Sequence, residues 1–213
     1  TLHSLSNNSN ILTLGYNTAV FGCLFRIRGI KNVINMDGIE WKRRKWNKFE
    51  RSWLYINEKL GAWLGNHLIA DHPEIKRHLE SFVRSEKINV IPYSSEIIEC
   101  ADEALINELS LEICNYLILI ARPEPENSIL EIVKVYSFKP RGVPLVILGQ
   151  YFPGLNSYHR EVLEAASPEV KFVGAIYDKK KVKALRFFSR FYIHGHTVGG
   201  TNPSLVEALG AGS

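Results

Sequence analysis

Four short apolar runs in the second half of the chain, at 116–121, 144–149, 171–174 and 191–194, alternate with segments of helical pattern near 126–138, 157–166 and 179–188. Strand, helix, strand at this spacing builds a parallel sheet with right-handed crossovers, so the chain reads as α/β. The last run, taken as 187–193, reads as a short buried strand ahead of a helix. Strands are also expected at 11–15, 32–36, 67–70 and 88–91, with helices near 19–28, through 46–63 and from Pro73 to Arg84. The chain has 213 residues, 46% of them hydrophobic, enough for one large cored domain or two small ones. All of its apolar runs are far shorter than a membrane span.

The stretch 191–212 carries the clearest chemistry. Gly199 and Gly200 let the backbone turn tightly and approach a ligand. Asn202 is a good N-cap, Pro203 suits the first helical position, and Leu205, Val206 and Leu209 give the helix an apolar face. Strand, glycine turn and capped helix together aim free amides and a positive helix end at an anion. Glu207, one turn inside, can accept a hydrogen bond from a sugar or ribose hydroxyl; an ordinary strand-to-helix junction with a solvated glutamate would use the same residues. His194 and His196 stand beside the turn, but an H-x-H pair alone is thin support for a metal, and none is expected.

Charge is concentrated elsewhere. Between Glu40 and Leu60 stand seven basic and three acidic side chains, which accounts for the whole net charge of +4. Trp46, Phe49, Trp53, Ile56, Leu60 and Trp63 recur at helical spacing, and their face is expected to turn toward the core with a solvated basic back. A basic helix bearing tryptophans also suits anionic lipid headgroups, so peripheral membrane contact through 42–51 is a second reading. No nucleic-acid motif accompanies the basic cluster, and nucleic acid is not expected as a partner. Asp37, in Asp37-Gly38 at the end of a strand, is either a general base or a turn former. Asp71 is expected to cap the helix starting at Pro73, with His72 incidental. Cys23, Cys100 and Cys114 lack metal-ligand spacing and read as buried thiols of a reducing compartment. Residues 1–10 are polar and uncharged, without a signal-peptide pattern, so a cytoplasmic chain is expected.

The run Gly199-Gly200-Thr201-Asn202-Pro203-Ser204-Leu205-Val206-Glu207-Ala208-Leu209-Gly210-Ala211-Gly212, together with 36–46, resembles glycosyltransferase family 4, and within it a bacterial subgroup often described as rhamnosyltransferases. The resemblance spans nearly the whole chain. It implies a GT-B fold of two Rossmann-like domains facing each other, both incomplete here, in a chain truncated at both ends. The acceptor-side domain would occupy 1–95, a crossing 96–114, and the nucleotide-sugar domain 115–213. Arg122 matches the family's diphosphate-gripping arginine, and Asn127 replaces the lysine expected five positions on. Gly174 and Ile176 match the loop whose backbone holds the base. Gly199 replaces the first of two glutamates, Glu207 matches the second, and Asp37 replaces a histidine near the acceptor.

The resemblance further implies transfer of a sugar, rhamnose being one donor sugar, from a nucleotide diphosphate to a saccharide or lipid-linked saccharide in surface polysaccharide assembly such as capsule or O-antigen. The site would be cytoplasmic, peripheral at the inner face of the membrane, and would need no metal or cofactor. Arg122, the Gly200 and Thr201 amides and the Asn202 helix start would stabilise the leaving diphosphate. Glu207 would orient the sugar, and Asp37 would take the acceptor's proton. The departures at Gly199 and Asn127 keep two rivals open: a catalytically silent nucleotide-binding module and a GT-B-like nucleotide-sugar epimerase. An oxidoreductase is disfavoured, since no G-x-G-x-x-G follows a strand.

Overall fold

The computed structural model describes residues 10–43, 45–198 and 200–213. Two compact units emerge: one runs to Tyr93 and takes in Val198–Thr201, the other is Ser94–Thr197 with Asn202–Ser213. Each holds a parallel four-stranded sheet.

In the first unit the order is β1 (Ile11–Leu14), β2 (Asn32–Asn35), β3 (His67–Ala70), β4 (Ile88–Val90), each strand beside its successor. Register aligns Ile34 with Leu68 and Leu68 with Ile88. Those three and Met36, Ala70, Ile75 and Leu79 form the core, covered by α2 (Lys48–Leu64) and α3 (Pro73–Leu79). A short α1 (Gly22–Ile27) follows a 3-10 turn at Ala19–Phe21. Helix α3 stops at Leu79 rather than continuing to Arg84. Ser81 turns its hydroxyl onto the His78 carbonyl at 2.6 Å, and Phe82 and Val83 pack against the core from outside the helix.

Helix α2 begins at a reciprocal cap between Asn47 and Glu50, and it corrects the expected packing face. Its buried residues are Leu54, Asn57, Glu58, Gly61 and Ala62, whereas Phe49 is 89% exposed and Trp53, Ile56 and Trp63 are each more than half exposed. Small residues at 61 and 62 let this face approach closely. Its polar members are satisfied there: Asn57 accepts from the Val20 amide at 3.0 Å, and Glu58 accepts from the Trp41 indole at 3.0 Å. Two met hydrogen-bonding demands and close packing outweigh the larger apolar area of the other stripe.

In the second unit the order is β7 (Val170–Gly174), β6 (Leu145–Leu148), β5 (Leu117–Ile120), β8 (Phe191–Tyr192). Side chains of β5 and β6 alternate strictly between two clusters. Ile118, Val146 and Leu148 meet α4 (Ala104–Asn107) and α7 (Lys179–Phe187); Leu119, Leu145 and Ile147 meet α5 (Ile129–Ser137) and α6 (Ser157–Glu164). Both faces are covered, which is why these strands read as continuous apolar runs. Within the stretch expected as a crossing, Ile106 and Leu111 are buried in the first of these clusters. The strand expected from Phe187 is shorter: Phe187 ends α7, and Phe191, on an edge strand paired only with β5, is 63% exposed. Helix α8 spans Pro203–Gly210.

The thiols also differ from expectation, Cys23, Cys100 and Cys114 all being exposed. Cys23 sits on α1 between Gly22 and Leu24, where the inward positions are Gly22 and Phe25. Among the described residues no helix is long and apolar enough to cross a membrane.

Candidate functional site

In the second unit the chain steps from β5 to β6 to β7 in one direction, then places β8 on the opposite side of β5. The order thus reverses between β5 and β8, and the carboxyl ends of strands at such a reversal are where open α/β sheets bind ligands. Arg122 follows β5 with its side chain exposed. Its carbonyl accepts from the Asn127 side-chain amide and the Glu124 backbone amide, both at 2.7 Å. Asn127 is buried and spends a donor on shaping its own loop, where the sequence suggested a donor for the diphosphate.

The loop after β8 is laced onto this turn. The Glu126 carbonyl accepts from the Thr197 amide at 2.9 Å and its hydroxyl at 3.0 Å. A Cβ on Gly195 would lie 2.6 Å from the Asn127 carbonyl oxygen, so only glycine permits this approach. His194 and His196 stack with ring centroids 4.4 Å apart, and burial pushes the His194 imidazole down. The buried His159 accepts from the Phe152 amide on Nδ1 and donates from Nε2 to the Pro123 carbonyl, tying the β5 loop to the β6 loop.

Helix α8 starts as the sequence indicated, with Asn202 Oδ1 accepting from the Leu205 amide at 3.2 Å. Glu207 is half exposed, and its Oε2 lies 2.6 Å from Nη2 of Arg186, which is itself buried. Arg186 also donates to Ser204 Oγ at 3.0 Å. The Tyr192 hydroxyl donates to the Ile120 carbonyl and shares a 2.9 Å hydrogen bond with Ser204, so α8 is fastened to the end of β5. Burial pushes the Tyr192 phenol up, against the Ser204 bond. Sequence reasoning missed Arg186, Tyr192 and Ser204; an arginine on the inward side of a lysine-rich helix was the only signal.

Gly174 and Ile176 stand apart, at the end of β7 beyond β6. Gly174 has a φ of 75°, lies at a register slip between β6 and β7, and accepts the Gly149 amide on its carbonyl at 3.0 Å. Ile176 is half buried against the β5–β6 core.

In the first unit Asp37 and Asp71 follow neighbouring parallel strands, β2 and β3. Asp37 is exposed with a φ of 51°, a left-handed backbone. The buried Tyr16 hydroxyl fixes its turn, donating to the Gly38 carbonyl and accepting from the Glu40 amide. Asp71 is 2% exposed. Its Oδ2 accepts from the Thr201 amide at 3.0 Å, and its carbonyl accepts from the Thr201 hydroxyl at 2.8 Å. A Cβ on Gly200 would sit 2.2 Å from that Oδ2. Burial raises the Asp71 carboxyl, the charge of Asp37 raises it further, and the Thr201 amide opposes both.

Asp71 is therefore no helix cap: His72 caps α3, its Nδ1 accepting from the Glu74 amide at 3.1 Å. The Thr201 amide, expected to face a diphosphate, is met by a protein carboxylate. Gly199 lies outside the described residues. Among those residues no group of three or more histidine, cysteine or carboxylate side chains is placed to hold a metal ion.

A family profile described as a domain of unknown function, DUF1972, matches residues 12–96. No curated protein matches the sequence. Among solved structures, Anabaena HepE in complex with UDP-glucose is similar at a TM-score of 0.76 with 15% identity, over 100% of this chain and 60% of that one. The same protein with UDP and glucose gives 0.75 and 17%, over 95% and 57%. A UDP-N-acetylglucosamine 2-epimerase from Rickettsia bellii gives 0.56 and 14%, over 86% and 50%. The chain thus spans at most three-fifths of these proteins. At these identities the likeness is one of fold: two parallel-sheet Rossmann-like units of the GT-B type.

Proposed function

We propose that the chain is the nucleotide-sugar-handling part of a glycosyltransferase. The observation that carries the reading is the reversal of strand order between β5 and β8, which puts exposed Arg122 directly after one strand and the capped helix α8, with its arginine-paired Glu207, after the other. HepE, similar in fold, is solved with UDP-glucose. Arg122 supplies the charge for a leaving diphosphate, as a charge-assisted hydrogen bond worth about 1.5–3 kcal/mol. Glu207, paired with Arg186, accepts a hydrogen bond from a sugar or ribose hydroxyl. Gly174 and Ile176 line the base, Asn127 shapes the Arg122 loop, and Asn202 and Gly200 set the entry to α8. Asp37 takes the acceptor's proton.

The finer reading is transfer of a sugar such as rhamnose to a saccharide or lipid-linked saccharide for surface polysaccharide. It places the protein at the inner face of the membrane, in peripheral contact through 42–51. No metal takes part, because guanidinium and helix dipole meet the leaving group's charge.

Calorimetric titration of the full-length protein with nucleotides and nucleotide sugars tests the donor site. Saturable binding of one sugar nucleotide, lost in Arg122→Ala and Glu207→Ala, is expected; binding of none by folded protein overturns the reading. The epimerase likeness motivates a second assay: an altered nucleotide sugar released without acceptor would assign the site to that chemistry instead.

A further inference from the structure

We infer that the outward stripe of α2 is a docking surface for an anionic lipid bilayer, the apolar half of the peripheral membrane contact in the preceding reading, on which this inference rests. Phe49, Trp53, Ile56 and Trp63 follow one another at steps of four, three and seven, a single line along the helix, and all four are more than half exposed. At 1.5 Å per residue that line is about 20 Å long, suited to a helix lying in the headgroup plane. Burying a polar donor in lipid is costly, but both indoles are already paired: Trp53 Nε1 donates to the Asn17 carbonyl at 3.1 Å and Trp63 Nε1 to the Phe82 carbonyl at 3.3 Å. Their rings can therefore leave water without stranding an N–H group.

The charge around the stripe selects the occupant. Lys42, Lys45, Lys48 and Arg51 are exposed, and none is in an ion pair among the described residues. Lys59 flanks the same line, its ammonium 4.5 Å from the Tyr55 ring centre. A second copy of the chain would meet this face with the same face, bringing like charges together. An anionic bilayer offers the opposite sign and a hydrocarbon boundary at the depth the aromatic side chains reach.

Co-sedimentation with lipid vesicles, without nucleotide sugar, tests this independently of the donor site. The folded protein is expected to bind vesicles of equal parts phosphatidylglycerol and phosphatidylcholine, to release on raising salt, and to leave pure phosphatidylcholine unbound. Phe49→Ser with Ile56→Ser is expected to weaken binding roughly tenfold or more, since both side chains lose their apolar area at the boundary. Lys45→Glu with Lys48→Glu is expected to weaken it at least as much. Lys48 is the first residue of α2, where a carboxylate suits the helix dipole, and a far-ultraviolet circular dichroism spectrum and urea midpoint matching the native protein's are the check that the double variant is folded. Equal binding to neutral and anionic vesicles, or no change in either variant, overturns the inference. So does a dimer in sedimentation velocity that the Phe49 and Ile56 substitutions dissolve.

Discussion

The two sheets share a strand count and differ in how they are covered. In the second unit every residue of β6 is buried, and its side chains feed two cores in turn. In the first unit one core cluster holds one face, while Leu12 and Leu14 of β1 remain 59% and 77% exposed on the other. The difference reaches the chemistry. The doubly covered sheet presents a guanidinium and a capped helix at its carboxyl edge, and the singly covered sheet presents two carboxylates. A sheet buried on both faces can hold a charged loop rigidly, because backbone and packing restrain it from two sides.

The largest effect that would break this comparison lies in the cores. Ile147→Ala, at a fully buried position, should cost about 3–4 kcal/mol of unfolding free energy by urea titration, whereas Leu14→Ala should cost under about 0.5. Equal costs would mean that β1's outer face is as covered as β6's. Next comes Arg186→Ala, which strips Glu207 and Ser204 of a shared donor. Because Glu207 is half exposed, water takes over part of the lost pairing, and a loss of about 2 kcal/mol is expected, below the roughly 3–5 of a fully buried pair.

A pH titration sharpens the contrast in carboxylates. Asp71 is raised from 3.8, so the folded state holds its proton more tightly than the unfolded chain does. Its stabilising contribution is complete below 3.8 and is lost as pH rises through the raised value. Denaturation midpoints from acid to neutral pH should show this component in the native sequence. It should be missing in Asp71→Asn, whose amide oxygen still accepts from Thr201. The smallest effect concerns thiols: Cys23, Cys100 and Cys114 should all react with a thiol reagent in the folded protein, in both units alike, with unfolding free energy changed by under about 0.5 kcal/mol.

The strands were legible because a parallel strand covered on both faces is a plain apolar run, and β5, β6 and β7 each match one within a residue or two. The start of α8 was legible because Asn202 and Pro203 act locally. The packing face of α2 was not, since hydrophobic periodicity counts area and is blind to Asn57 and Glu58 finding partners at Val20 and Trp41. Asp71 read as a helix cap because its true partner, Thr201, lies 130 positions away. Arg186 and Glu207 each look ordinary alone, and only the fold makes them a pair.

The pairing of β8 with β5 covers two residues, where β5 and β6 share four. A segment held by so short a ladder opens at a lower free energy than the strands beside it, exchanging its amides while the central sheet stays closed. The elements that follow β8, Glu207 among them, are thus attached to the least protected strand of their sheet. Any ligand that needs them closed binds with an apparent affinity reduced by the fraction of time they are open.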